Sequence, residues 1–300
     1  MDRASKFERR NYRGYQLIVF IVLIIYTLSM FVVVGWGFFT SLKTKLELRT
    51  NLFGLPKGFP WDWAWSNYVT VFKTLSITVM AEGGVRQVYL FELMANALII
   101  SVVSALIPGW VNVIVSYLTV RFKEFRFSNI IITVTIITMF LPIGASLGVV
   151  LQFRKAIGLY DNLFLNLIPA MGWGGTGLFV YRALFMGVGE SYCEAAEIDG
   201  ANEFIIMIKI MFPFIIPTYM SFAVMGIVGG WGDYSNTLIW LPSMPTIGYA
   251  LFNFASSSTS STSNITMQIT ACMVTMAPML ILFIIFGDKM MKNINIGGLK

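Results

Sequence analysis

The sequence predicts an all-α membrane protein: six transmembrane helices, N and C termini cytoplasmic, and a cytoplasmic helix-turn-helix between spans four and five. Three observations carry that prediction. Of 300 residues, 57% are hydrophobic and only 12% charged, with a mean hydropathy of +0.74, whereas soluble chains carry roughly 25% charged residues. The apolar residues gather into six runs of the length a bilayer core demands, about 20 residues of helix, because unsatisfied backbone polar groups are prohibitive in hydrocarbon. The 21 Lys and Arg fall in short clusters between those runs. Membrane topology explains that arrangement better than nucleic acid does, despite the formal charge of +6.

Residues 1–14 form a basic cytoplasmic N-terminus, and residues 15–300 the transmembrane domain. The first span, 15–39, follows Arg3, Lys6, Arg9, Arg10 and Arg13 and is too long for the apolar core of a cleaved signal peptide. The second, 90–120, contains Pro108-Gly109. Cutting it there leaves two pieces too short to cross, so the expectation is one kinked or tilted helix. The third, 129–153, contains Pro142, and the fourth covers 163–186. The fifth, 214–230, begins after Pro213, and the sixth covers 265–286.

An even number of spans puts both ends on one side, and loop charge selects the side. With termini inside, 13 of the 21 Lys and Arg face the cytoplasm and eight face out. The dissenting loop is 40–87, with Lys43, Lys45, Arg49, Lys57, Lys73 and Arg86. Its Pro56, Gly58, Pro60 and the series Trp61, Trp63, Trp65 suit chain lying at the membrane-water boundary. The Ser/Thr-rich run 256–263 reads as a flexible outer loop with reach towards a partner.

Composition removes most chemistry. There is no His, the commonest neutral-pH acid/base and metal ligand, and Cys193 and Cys272 form neither a C-x-x-C motif nor a disulfide framework. Neither a catalytic residue nor a metal ligand set emerges. Gly144-Ala145-Ser146-Leu147-Gly148 matches G-x-S-x-G, but within an apolar span the glycines serve close helix packing. Gly172-Trp173-Gly174-Gly175-Thr176-Gly177 matches G-x-G-x-x-G without the strand that a dinucleotide fold requires, and no Gly-Lys pair exists for a phosphate-binding loop.

The segment 188–213 is unusual. Glu190, Glu194, Glu197, Asp199 and Glu203 supply five of the chain's 15 carboxylates. Two short helices are expected, over 190–199 and 201–212, with Gly200 taking the left-handed conformation that ends the first. Ala195 and Ala196 allow a partner close to the helix backbone, and Pro213, lacking a donor, suits the opening turn of span five. The order is Glu194-Ala195-Ala196, three residues, Gly200, nine residues, Ile210, two residues, Pro213.

That order resembles the coupling loop of ATP-binding-cassette importer permeases, E-A-A-x3-G-x9-I-x-L-P, with Phe212 in place of Leu. Flanking stretches are similar to the carbohydrate-uptake, maltose-type permeases: Asn96-Ala97-Leu98, Ser116 to Phe122, Ile198-Asp199-Gly200-Ala201, Trp231-Gly232-Asp233-Tyr234 and Gly297-Gly298-Leu299-Lys300. The family has Asn and Glu where Gly232 and Asp233 stand. The resemblance implies four kinds of partner beyond the lipid bilayer of a bacterial cytoplasmic membrane: a second, different permease, two ATPase subunits, an extracytoplasmic solute-binding protein and a sugar substrate. It implies no cofactor on this chain, ATP and Mg being held by the ATPase. Glu194, Ala195, Ala196, Gly200, Ile210 and Pro213 would form the joint with that ATPase, and the tail 289–300 would reach it as well.

For the substrate path the candidates are polar or aromatic residues within or at the ends of spans: Asn112, Thr138, Gln152, Asn166, Trp173, Ser221 and Trp231. Helix-helix hydrogen bonding or interfacial anchoring is the plainer reading of each. Two other functions stay open. A charged, non-sugar cargo would demand opposite charge inside the spans, and a stand-alone carrier would need intramembrane carboxylates, for which Glu92 is the sole candidate.

Overall fold

The computed structural model describes residues 2–81, 84–141, 146–168, 174–256 and 264–294. Trp173, most of 256–263 and the terminal 295–300 lie outside the described residues. The chain divides into two compact units, Met1–Thr74 with Phe254–Met276, and Leu75–Asn253 with Ala277–Lys300.

In the first unit, helix α1 (Asp2–Ser41) carries an apolar span, Tyr15–Ser41, whose most hydrophobic stretch has no buried residue. A helix apolar on all faces has the composition of a membrane span. Helices α2 (Lys45–Thr50) and α3 (Ser66–Thr74) follow. Between α1 and α2 Lys43 is fully buried, its ammonium donating to the carbonyls of Asn51 (2.9 Å) and Leu52 (3.2 Å). The Asn67 amide donates to the Ser41 and Lys43 carbonyls at 2.8 and 2.9 Å. The indoles of Trp36, Trp63 and Trp65 donate to backbone carbonyls. Trp61 stacks on Phe59 at 4.9 Å with both rings exposed.

In the second unit the chain first makes an antiparallel hairpin, β1 (Ser76–Ala81) with β2 (Gly84–Tyr89), pairing Ser76 with Tyr89 and Val79 with Arg86. This corrects the all-α expectation. The cause is a period of two: Leu75, Ile77 and Val79 are buried while Thr78 and Met80 face out, so β-branched residues line one face of a short ladder.

Helix α4 (Leu90–Arg121) is one continuous rod with Pro108 inside. Helix α5 (Arg126–Phe140) stops where the expected span 129–153 should continue. Leu141, the residue before Pro142, is extended (φ −83°, ψ 120°) because the proline ring disfavours helical geometry there. Helix α6 (Leu147–Ala156) resumes beyond it. The expected span 163–186 is likewise divided, into α7 (Leu163–Asn166) and α8 (Gly175–Gly187). Gly174 and Gly175, where α8 begins, have φ of 149° and 69°, conformations that no continuous helix passes through and that glycine permits.

Helix α9 (Ser191–Ile198) and a turn lead into α10 (Glu203–Ile205), a π-helical stretch Ile206–Met211 and α11 (Phe212–Trp231). Glu203–Trp231 thus forms one apolar helix of 29 residues. Span five does not open at Pro213, as the sequence suggested. Proline inside a helix lacks a donor and crowds the carbonyl four residues back. The π stretch immediately upstream, where the Phe212 N–H bonds to the Met207 carbonyl, widens the helix and lets it pass the proline. Helices α12 (Ser235–Trp240), α13 (Ile247–Ser256) and α14 (Ile265–Ile294) complete the order.

Among the described residues four helices are long and apolar enough to cross a membrane: Tyr15–Ser41, Leu90–Arg121, Glu203–Trp231 and Ile265–Ile285. The core of the second unit lies where α4, α8 and α11 meet. The Ser116 hydroxyl donates to the Leu178 carbonyl at 2.9 Å, and the Tyr219 hydroxyl to the Leu106 carbonyl at 2.9 Å. At Gly230 an added Cβ would fall 3.2 Å from the Ser101 Cα, so the absence of a side chain sets the spacing of α4 and α11.

Candidate coupling site

The segment after α8 folds as a helix, a glycine turn and a second helix. Helix α9 ends on a Schellman motif: the Gly200 N–H bonds to the Glu197 carbonyl and the Ala201 N–H to the Ala196 carbonyl, both at 2.9 Å. Gly200 has φ +82°, and nothing lies within 4 Å of where its Cβ would be. The requirement for glycine is therefore one of backbone conformation, not of space. Asn202 then caps the next helix, its Oδ1 accepting from the Ile205 N–H at 2.9 Å.

One face of this hairpin is welded to the spans. Cys193, Ala196, Ile206, Met207 and Met211 are buried in a single cluster with Val113 and Tyr117 of α4, Tyr181 and Phe185 of α8, and Ile215 and Tyr219 of α11. Burial pushes the Cys193 thiol pKa up. Trp110 meets Phe212 edge-on with ring centres 4.5 Å apart. Ile210 is half-buried against the same cluster.

Charge secures the join. Arg121, last residue of α4, pairs with Glu197 and, at 3.0 Å, with Glu203. The Tyr117 hydroxyl donates to the other Glu203 oxygen at 2.7 Å. Lys123 pairs with Glu190 at 2.6 Å. The ammonium holds the Glu190 carboxyl below its ordinary range, and the carboxylate raises Lys123. This outer tether is lost on acidification as Glu190 protonates through its depressed pKa, and on alkalinisation as Lys123 deprotonates through its raised one. Both side chains are largely exposed, so its energetic weight is small.

The opposite face is open. Glu194, Ala195 and Pro213 are exposed, whereas Ala196 is 6% exposed and faces the protein's own core. Close approach by a partner is therefore available at Ala195 and not at Ala196. Ile198 (87% exposed) and Phe204 (69%) flank the Gly200 turn and project into solvent. Sequence reasoning missed this pair. Its signal was the spacing of Cys193 and Ala196, three apart on one helix face, which leaves Ile198 pointing away. Arg121 was missed too, although a basic cluster at the end of span two and five carboxylates in the loop formed a complementary pattern.

The substrate-path candidates do not converge on one site. Asn112 accepts from the Gly174 N–H at 2.9 Å, while the hydroxyls of Thr138 and Ser221 donate to carbonyls of their own helices, Thr135 and Pro217. Gln152 is exposed and Trp231 buried, and Trp173 lies outside the described residues. Asn166 joins a polar group built from several elements. Its Oδ1 accepts from Arg154 at 2.6 Å, its amide donates to Asn236 at 3.4 Å, and the Arg154 guanidinium lies 4.0 Å over the Trp240 ring.

Comparison with known proteins agrees with this architecture. The family model described as "Binding-protein-dependent transport system inner membrane component" matches residues 112–295. A probable starch degradation products transport system permease protein of Thermoanaerobacterium thermosulfurigenes is 32% identical over 65% of this chain and 64% of its own length. The chain thus spans just under two thirds of that relative. An arabinooligosaccharides transport system permease protein of Bacillus subtilis is 23% identical over 87% of each chain. Among solved structures, a chain of a bacterial ABC transporter involved in the import of the acidic polysaccharide alginate superposes with a TM-score of 0.70. It is 19% identical and covers 93% of this chain and 97% of its own, a likeness of fold. With well over half its length matched, the chain belongs to the inner membrane components of binding-protein-dependent transport systems.

Proposed function

We propose that the chain is a permease subunit of an ATP-driven importer, forming half of a translocation pathway for a sugar or oligosaccharide. The cargo is delivered by an extracytoplasmic binding protein, and a second, different permease supplies the other half. The complex includes two ATPase subunits, which hold ATP and Mg, and the segment 188–213 of this chain docks on one of them. The chain itself hydrolyses nothing. Six crossings with both termini in the cytoplasm are consistent with the charge distribution, spans three and four being the divided ones.

The observation that carries the reading is the two-faced hairpin. Its inner face is continuous with the core of α4, α8 and α11, while its outer face offers Glu194, Ala195, Ile198 and Phe204 around a fixed turn. A partner that grips the outer face moves the spans, because no flexible joint intervenes. This is the differential contact that a coupled two-state change requires. The sugar cargo rests on what the relatives' names say of them, and on the scarcity of charge within the spans.

Reconstitution tests it. The complex purified from its native membrane should contain an ATPase, and vesicles holding it should accumulate a labelled neutral oligosaccharide only with ATP and binding protein present. Uptake by the chain alone, or preference for an acidic oligosaccharide, would refute the mechanism or the cargo respectively. At the outer face, Ile198→Asp is expected to weaken ATPase association about tenfold, the effect of desolvating a charge at an apolar contact. Membrane insertion should be unchanged, since the residue touches little of its own chain. Pull-down of the ATPase with wild-type and variant complexes measures it.

A further inference from the structure

A cavity of about 190 Å³ lies beside the coupling site, between the end of α4, the second half of α8 and the start of α9. That is far above the roughly 10–15 Å³ that holds one water. Arg121, Lys123, Arg182 and Glu190 line it, with Phe185 and Met211 among its apolar walls. Two of its three cations are engaged within the chain, Arg121 by Glu197 and Glu203, and Lys123 by Glu190. Arg182 is not. Among the described residues it forms no ion pair, and its Nε is shielded from solvent without a hydrogen-bond partner.

A guanidinium cannot escape this by shedding its proton, and a buried N–H without an acceptor is costly. Nε itself is closed to the cavity, but among the described residues no carboxylate pairs with the Arg182 charge, and an oxyanion entering the cavity would match it. Depth indicates which kind. Arg182 stands five residues before the end of α8, Gly187, so about 7 Å inside it at 1.5 Å per residue. From such a position a long basic side chain reaches the level of lipid headgroups. The cavity's edge is also amphipathic: Met186, which lines it, is 62% exposed beside the charged groups.

We propose that this cavity binds a phosphate group, that of an anionic phospholipid headgroup in the leaflet at the coupling-loop end, with Arg182 as its principal donor. The site is distinct from the proposed ATPase contact on the outer face of the loop. It places a lipid against the same α4–α9 junction that Arg121 and Lys123 close.

The test uses the complete purified complex in nanodiscs of phosphatidylcholine, with and without phosphatidylglycerol, comparing wild type, Arg182→Gln and Arg182→Lys. Native mass spectrometry should show phosphatidylglycerol retained by wild type, about tenfold lower occupancy in Arg182→Gln, and most of it kept in Arg182→Lys. Inorganic phosphate titrated into phosphatidylcholine nanodiscs forms a second arm. An Arg182-dependent rise in thermal stability there, with no preference for phosphatidylglycerol, upholds the phosphate site but assigns a free anion as its source. Equal lipid retention in wild type and Arg182→Gln, with no Arg182-dependent response to phosphate, overturns the proposal. So does an efficient cross-link from Arg182→Cys to the ATPase, which would give the cavity to a protein interface. Should Arg182→Gln fail to assemble, Arg182→Lys and the wild-type titrations still decide.

Discussion

Gly200→Val is expected to leave insertion and assembly intact while cutting ATP-dependent uptake about tenfold or more, with hydrolysis by the complex persisting. The reasoning is confined to the backbone. At φ +82° an L-residue crowds its own carbonyl at a cost of roughly 1–2 kcal/mol, and β-branching raises it. The cheapest relief is rotation out of the left-handed region, which breaks the two hydrogen bonds closing α9 and re-aims Ile198 and Phe204 relative to one another. No neighbour lies within 4 Å of the new Cβ, so a packing clash cannot be the source of the defect. Asparagine tolerates this conformation better than valine, so Gly200→Asn should retain much more transport. The measurement is the ratio of uptake to hydrolysis in reconstituted vesicles. Wild-type ratios in Gly200→Val would remove the turn from the mechanism.

Arg121→Gln should have the next largest effect. Arg121 forms ion pairs with both helices of the hairpin, through Glu197 on one and Glu203 on the other, and Tyr117 shares the second carboxylate. Removing it strands two carboxylates. A fully buried pair would lose about 3–5 kcal/mol, but Glu197 and Glu203 are 45% and 41% exposed. Water can take over part of the contact, so about 1–2 kcal/mol is expected. Thermal unfolding of the assembled complex should show that loss together with reduced coupling. Adding Glu203→Gln to Arg121→Gln removes one stranded charge and should recover part of it. Strict additivity in that double-mutant cycle would mean the two groups do not act on each other.

Much of this site was legible before any coordinates, because its cause is local. A glycine at the end of an alanine-bearing helix, flanked by acids and followed at fixed intervals by Ile210 and Pro213, constrains the chain through conformation alone. The position of the turn and of α9 followed. The length of one apolar run also placed α4, despite Pro108. Other features escaped because competing forces decided them. Pro142 and the glycines at 174–175 outweighed hydrophobic continuity and divided two runs that composition joined. The π stretch at Ile206–Met211 accommodated Pro213 and erased a boundary that the proline suggested. The hairpin after Leu75 was written in an alternation too short to stand out from its apolar surroundings. Least legible was the outward placement of Ile198 and Phe204, which depends on which side of α9 the spans occupy.

The unbroken course of Glu203–Trp231 has a mechanical corollary. At 1.5 Å per residue such a rod is about 43 Å long, so tipping it by about 10° about its lower end swings the upper end through about 7 Å. A small rotation imposed from one compartment is thereby magnified at Gly232 and Asp233, beyond the rod's end. Loosening the helix near its root, for instance by a glycine within the π stretch, would act as a clutch: hydrolysis would continue while the far end of the rod stays at rest.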